Sequence, residues 1–260
     1  MKKEKYLYFL ILMNSVEKNI VNSIKKGKKL FAWLIDPDKV SPETFEKKLI
    51  KAKKFNIDLI FLGGSLLVED KITEYIKTIK KYFSIPVILF PGSTNQVNKN
   101  ADAILFLSLI SGRNPDFLIG RHVEVASIIK KTSLAVLPTG YILVESGRQT
   151  TASYISNTFP VPHHKADIAV STAIAGELLG LKYIFLDGGS GALKSIDTQM
   201  ISAVKKNINI PLIVGGGIKE SEQLKNAYNA GADIVVVGNI IEDNFDKLQE
   251  FTKIKASFGG

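Results

Sequence analysis

The chain has 260 residues, 45% of them hydrophobic, which is enough for one large domain with a well-buried core. Lysine and arginine number 34 against 25 acids, a net charge of +9, but the lysines fall in scattered runs such as EKKLIKAKKF and YIKTIKKYF. That is the spacing of solvated helix faces, and with no RNA-binding aromatic motif or zinc-finger pattern no nucleic-acid partner is expected. The charge suits anionic substrates or an anionic membrane surface equally well. There is no cysteine, which excludes disulfides, thiolate catalysis and cysteine-ligated zinc and agrees with a cytoplasmic setting.

The opening MKKEKYLYFLILMNS sets lysines before an apolar run, yet it lacks a small-residue cleavage site and is too short to span a bilayer. Residues 1–13 are read as an N-terminal arm or upstream extension and 14–260 as a single domain. Eight short apolar runs follow in that domain: LFAWLID, IDLIFLGG, IPVILFPG, ADAILFLSL, LAVLPTGYILV, LKYIFLDGG, IPLIVGGG and ADIVVVGN. Each is nearly continuous in Ile, Val, Leu and Phe, the pattern of strands buried on both faces of a parallel sheet. Helical patterns such as PETFEKKLIKAKKF, DIAVSTAIAGELLG and SEQLKNAYNAG fill most of the intervals. Eight strand–helix units predict a (β/α)8 TIM-type barrel. Between the third and fourth runs PGSTNQVNKN is polar and short, so the third helix is expected to be missing or irregular.

Polar residues gather at the C-terminal ends of these runs, where barrel enzymes build their sites: Asp36, Ser65, Asp187, Gly215 and Gly238. In WLIDPDK, Pro37 fixes a turn that aims Asp36 out of the strand end. Its carboxylate and the Ser65 hydroxyl form a sparse oxygen site of the kind magnesium takes, because that ion keeps waters and accepts further oxygens from substrate phosphates. A turn or helix cap is the other reading of Asp36. The last three runs end in FLDGGSGA, VGGGI and VVGN. Glycine-rich loops after the late strands read as a phosphate site whose binding surface is backbone N–H, with plain tight turns as the alternative. Tyr141, Glu145 and Arg148 end the fifth run, where the tyrosine can bound a ligand cavity, with rim packing of all three as the alternative. Neither His122 nor the pair His163 and His164 has metal-site spacing, and the pair reads as solvated.

Together, DPDK, GGS, PTGYILVE, FLDGGSGA, GGGI and VVVGN resemble, in order and spacing, the geranylgeranylglyceryl phosphate synthase family with its heptaprenylglyceryl phosphate relatives, from about Leu30 to Asn244. The resemblance implies that Asp36 and Ser65 hold Mg2+. It also implies that Phe185, Leu186, Asp187, Gly188, Gly189, Ser190, Gly191, Gly215, Gly216, Gly238 and Asn239 form a glycerol phosphate site, with Tyr141 beside it. Asp187 is the expected catalytic acid/base, and the implied reaction is prenyl transfer from geranylgeranyl diphosphate to sn-glycerol 1-phosphate. The family usually reads Tyr-Leu-Glu where this chain has Phe185, Leu186 and Asp187, which puts the contacts to the glycerol hydroxyls in question. A homo-oligomer, dimer or hexamer, and a peripheral membrane contact through the lipid product are also expected. Two further readings remain open from the residues alone: another phosphate-binding barrel, such as a sugar-phosphate isomerase or cyclase, and a basic binding protein without catalysis.

Overall fold

In the computed structural model, which describes residues 14–64 and 71–259, every one of the eight apolar runs is a strand. They are β1 (Leu30–Ile35), β2 (Leu59–Leu62), β3 (Val87–Leu89), β4 (Ala103–Leu109), β5 (Ala135–Leu143), β6 (Tyr183–Asp187), β7 (Leu212–Gly215) and β8 (Ile234–Val237). Neighbours pair in parallel, and β8 returns to β1 through the register Leu30 with Ile234 and Trp33 with Val237, closing the barrel. The runs look continuously apolar because the alternating faces of each strand meet two different cores. Phe61, Ile88, Leu105, Leu137, Phe185 and Ile213 fill the barrel, whereas Trp33, Ile60, Leu62, Leu186, Val214 and Val235 pack outward against the helices.

Helix α1 (Ser15–Lys25) is capped by the Asn14 side chain, which accepts the Glu17 N–H at 2.8 Å. Its Val16 and Ile20 join the barrel-interior cluster, so it plugs the N-terminal end. The outer ring consists of α2 (Pro42–Ala52), α3 (Ile72–Tyr82), α4 (Arg121–Ile129), α5 (Thr151–Ser156), α6 (Ala166–Leu178), α7 (Thr198–Asn207), α8 (Ser221–Asn229), α9 (Asn239–Asp243) and α10 (Asp246–Ala256). Between β3 and β4 there is only a 3-10 turn, Thr94–Gln96, as the polar linker predicts. A π-helical turn, Asp116–Gly120, leads from β4 into α4. The expected arm at residues 1–13 and the metal candidate Ser65 lie outside the described residues.

The N-terminal face of the barrel carries a repeated electrostatic device. Asp58, Asp102 and Asp233 each stand one residue before an even-numbered strand, and each Oδ2 accepts an N–H of the preceding strand, from Phe31, Val87 and Leu212, at 2.8 Å. Each also meets a helix lysine, Lys255 at 2.6 Å, Lys80 at 2.7 Å and Lys205 at 2.6 Å. Before β6 the position is Lys182, and the pattern breaks. Asp233 is the most buried of the three, at 5% exposure. Asp233→Ala is expected to lower unfolding free energy by about 3 kcal/mol, because it strands a lysine and a strand N–H. Lys80→Met, at a half-exposed pair, should cost about 1 kcal/mol or less. Urea unfolding of both variants checks the contrast, and equal small shifts would refute it.

Candidate active site

At the C-terminal mouth a cavity of about 570 Å³ lies over the ends of the strands. Its floor is aromatic: Phe90, Tyr141 and Phe185 pack with ring centroids 5.4 to 6.0 Å apart. Above them Asp187, 7% exposed, ends β6. The Tyr141 hydroxyl donates to Asp187 Oδ2 at 2.5 Å, and the Gly189 N–H donates to Oδ1 at 2.8 Å. Burial pushes the Asp187 carboxyl above its usual range, and these two hydrogen bonds pull it back. Burial, and then the neighbouring Asp187 charge, hold the Tyr141 phenol well above its ordinary value, so the proton stays on the tyrosine. Tyr141 and Phe185 are register partners on β5 and β6. A phenol therefore reaches the acid from the adjacent strand, although Phe185 has none. Asp187 makes a two-residue turn to Gly189 and caps no helix.

Parity along β6 corrects one assignment. Phe185 and Asp187 face the barrel and cavity, while Leu186 faces the helix layer, fully buried in the outer core. Gly188 is likewise absent from the cavity wall, and its N–H donates to the Gly215 carbonyl at 3.1 Å. The other expected glycines, with Ser190 and Asn239, do line the cavity.

The glycines answer first to neighbouring loops. A Cβ on Gly216, at φ +81°, would stand 2.6 Å from the Gly188 nitrogen and 2.7 Å from Asp187 Oδ1; on Gly217 it would stand 2.2 Å from the Lys194 carbonyl oxygen. Gly215 lets the Phe185 ring approach to 3.0 Å of where its Cβ would be. The β6 and β7 loops can touch only because side chains are missing there. Among the described residues the N–H groups of Gly191, Gly216 and Gly217 have no acceptor, so an anion can still use them.

On the far side of the mouth Asp36 starts a turn, its Oδ1 accepting the Asp38 N–H at 3.2 Å and its carbonyl the Lys39 N–H at 3.1 Å. The helix cap in this segment is Ser41, so the capping reading of Asp36 falls away. Its carboxylate lies against Gly64, where a Cβ would come within 3.0 Å of Oδ1. Glu242 on α9, which sequence reasoning missed, accepts the Asp36 N–H at 3.4 Å through Oε1. The Lys39 ammonium sits 3.6 Å from Asp36, 3.2 Å from Glu242 and 3.0 Å from Asn239 Oδ1. Burial pushes both carboxyls up, opposed by that lysine. Glu242 stands three residues after Asn239, on one side of a helix turn, and this spacing in VGNIIE is the signal that could have revealed it. Two carboxylates already share one cation, so the donor set suits a hard divalent ion. Among the described residues no cluster of three or more acidic, histidine or cysteine side chains could hold a metal alone.

Beside the main cavity, and sharing Phe90, Tyr141, Ala152 and Gly64 with it, lies a second pocket of about 130 Å³. It opens where the third helix is absent. Apolar side chains of β4, α4 and α5 line it, including Phe106, Val125 and Ile155. His122 closes its end, its ring edge-on to Phe106 at 4.3 Å, and burial keeps this imidazole's pKa low. Of the other two histidines, His164 is exposed, as expected, while His163 is half-buried with Nε2 3.1 Å from the Ser195 carbonyl. Gln96, in the 3-10 turn, ties the β2 and β3 loops together, donating to the Gly64 carbonyl at 2.9 Å and accepting from the Gly92 N–H at 3.2 Å.

Residues 22–255 match the PcrB family. The geranylgeranylglyceryl phosphate synthase of Spirosoma linguale is 50% identical over 232 residues, 89% of this chain and 93% of that one. The synthase of the same name from Pyrococcus furiosus is 43% identical over 231 residues, 88% of this chain and 91% of that one. The crystal structure of (S)-3-O-geranylgeranylglyceryl phosphate synthase from Thermoplasma acidophilum in complex with sn-glycerol-1-phosphate superposes with a TM-score of 0.88 at 28% identity, covering 94% of this chain and all of the other. With a closed parallel barrel, a buried acid at its mouth and glycine-rich loops around it, this chain belongs to the PcrB family, alongside the geranylgeranylglyceryl phosphate synthases, and is an enzyme, a prenyltransferase.

Proposed function

We propose that the enzyme joins a geranylgeranyl group from its diphosphate to a hydroxyl of sn-glycerol 1-phosphate, with Mg2+, to give an ether lipid precursor. The observation that carries the reading is Asp187, a buried carboxylate in the polar cavity held by an N–H and by the phenol of Tyr141, a side chain that lines both this cavity and the apolar pocket. The glycine-rich loops take the phosphate of the acceptor. Asp187 orients the glycerol hydroxyl and receives its proton as the oxygen bonds to C1 of the prenyl group. The bond from C1 to diphosphate breaks, and diphosphate leaves. A carboxylate raised by burial is a stronger base than one in water, and Tyr141 keeps it aimed. Asp36, with Glu242 and the Ser65 position, would hold magnesium, which supplies charge stabilisation for the departing diphosphate. The pocket left by the missing helix takes the prenyl tail against the apolar side chains of Phe90, Leu105, Phe106, Leu107 and Val125.

Exposed Leu178 and Leu179 at the end of α6, 82% and 79% accessible, support self-association as a dimer or hexamer. Exposed Ile119 and Val123 beside the apolar pocket support peripheral membrane contact as the lipid product departs. Among the described residues no helix is long and apolar enough to cross a membrane. The lack of cysteine supports action in the cytoplasm.

The direct test incubates the chain with magnesium, sn-glycerol 1-phosphate and prenyl diphosphates of several lengths, identifying products by mass. Geranylgeranylglyceryl phosphate formed only with magnesium is the expected result, and no ether product from any donor would overturn the reading. Asp36→Asn should nearly abolish turnover and weaken Mn2+ binding seen by electron paramagnetic resonance, with the melting temperature kept. Asp187→Ala should reduce kcat about a hundredfold or more. Tyr141→Phe removes a hydrogen bond that lowers the Asp187 pKa, so the pKa rises further. The acidic limb of the kcat profile should then move to higher pH, and an unmoved limb would assign the proton to another group.

A further inference from the structure

The backbone donors of the phosphate loops are all neutral. Gly191, Gly216 and Gly217 offer N–H groups, while those of Gly188 and Gly189 are already engaged by Gly215 and Asp187. A phosphate monoester brings about −1.5 to −2 charges at pH 7. Three cations line the cavity: Lys39, Lys219 and Arg148. Lys39 stands on the side of the mouth proposed for the metal, against Asp36, Glu242 and Asn239. Arg148 pairs with no carboxylate among the described residues, and its guanidinium lies across the phosphate loop. A Cβ on Gly191 would stand 2.0 Å from its Nη2 and 3.1 Å from its Cζ.

This placement is built in. The Ser146 carbonyl accepts the N–H groups of Leu193 and Lys194 at 3.0 and 3.1 Å, pinning the loop after β5 onto the loop after β6. Gly147, at φ +89°, reverses the chain before Arg148. Thr150 then packs over Gly189, where a Cβ would meet its hydroxyl at 2.7 Å. Gly189 and Gly191 thus leave room for Thr150 and Arg148, and the loop delivers a planar fork of donors to the site. Such a fork matches phosphate oxygens in a way that a lysine point charge does not.

We propose that Arg148 is the charged member of the phosphate site, binding the substrate phosphate together with the N–H groups of Gly191, Gly216 and Gly217. The proposal rests on the glycerol phosphate reading above and adds the residue that neutralises the ligand. Its test is calorimetry with sn-glycerol 1-phosphate and with inorganic phosphate on the full chain, joined to steady-state kinetics. Arg148→Gln should weaken binding of both anions, and raise KM for sn-glycerol 1-phosphate, by about 30- to 150-fold, the scale of one lost hydrogen-bonded charge. KM for the prenyl diphosphate and the melting temperature should stay within about twofold, and Arg148→Lys should recover part of the loss. Unchanged affinity in Arg148→Gln, equal loss for both substrates, or a loss in Lys219→Gln as large as in Arg148→Gln would overturn it. A wild-type chain that binds inorganic phosphate through Arg148 but no sn-glycerol 1-phosphate would uphold the residue and sink the acceptor assignment.

Discussion

A single carboxylate taken out of water organises the mouth of this barrel. An unpaired acid at the depth of Asp187 would become protonated. Its two partners hold it ready to ionise, and each partner constrains another piece of chain. The Tyr141 hydroxyl demands that β5 and β6 pair with Tyr141 opposite Phe185. The Gly189 N–H demands a tight turn directly after β6, and that turn leaves Gly216 no space for a side chain. The aromatic floor beneath keeps water away from the lower side of the acid.

The two ends of the barrel solve opposite electrostatic problems. At the N-terminal end, Asp58, Asp102 and Asp233 are each matched by a lysine and a strand N–H, so charge there is neutralised and locks strands to helices. At the C-terminal end, N–H groups of Gly191, Gly216 and Gly217 and the side chain of Arg148 have no partner among the described residues. Satisfied groups stabilise, and unsatisfied ones wait for a ligand. This division follows the general anatomy of such barrels.

Strand positions were legible because a parallel barrel strand is apolar on both faces, which yields short unbroken runs that little else in a soluble chain imitates. The missing helix was legible because PGSTNQVNKN has no apolar face to bury. Leu186 was misread although the information was present: period two puts it opposite Phe185 and Asp187. For Glu242 the local spacing in VGNIIE marks only the helix side it shares with Asn239; its contact with Asp36 spans 206 residues of sequence and no local pattern carries it. The glycine runs were read as surfaces for a phosphate. Their first requirement is a carbonyl of Lys194 and a side chain of Thr150 on other loops, which no local pattern encodes. The aspartates before β2, β4 and β8 look like turn residues until the lysines from distant helices are in place.

Replacing the third helix by the turn Thr94–Gln96 also changes the topology of the chamber. In a complete ring of helices, a ligand tail can enter only down the barrel axis, end first. Here the enclosure is interrupted on one side, between the β3 loop and α4, and a slot replaces the hole. A flexible hydrocarbon can be laid into a slot sideways, along its whole length at once. On the function proposed above, loading and release of the prenyl tail then need no threading, and the barrel strands that hold Asp187 in register need not part to admit it.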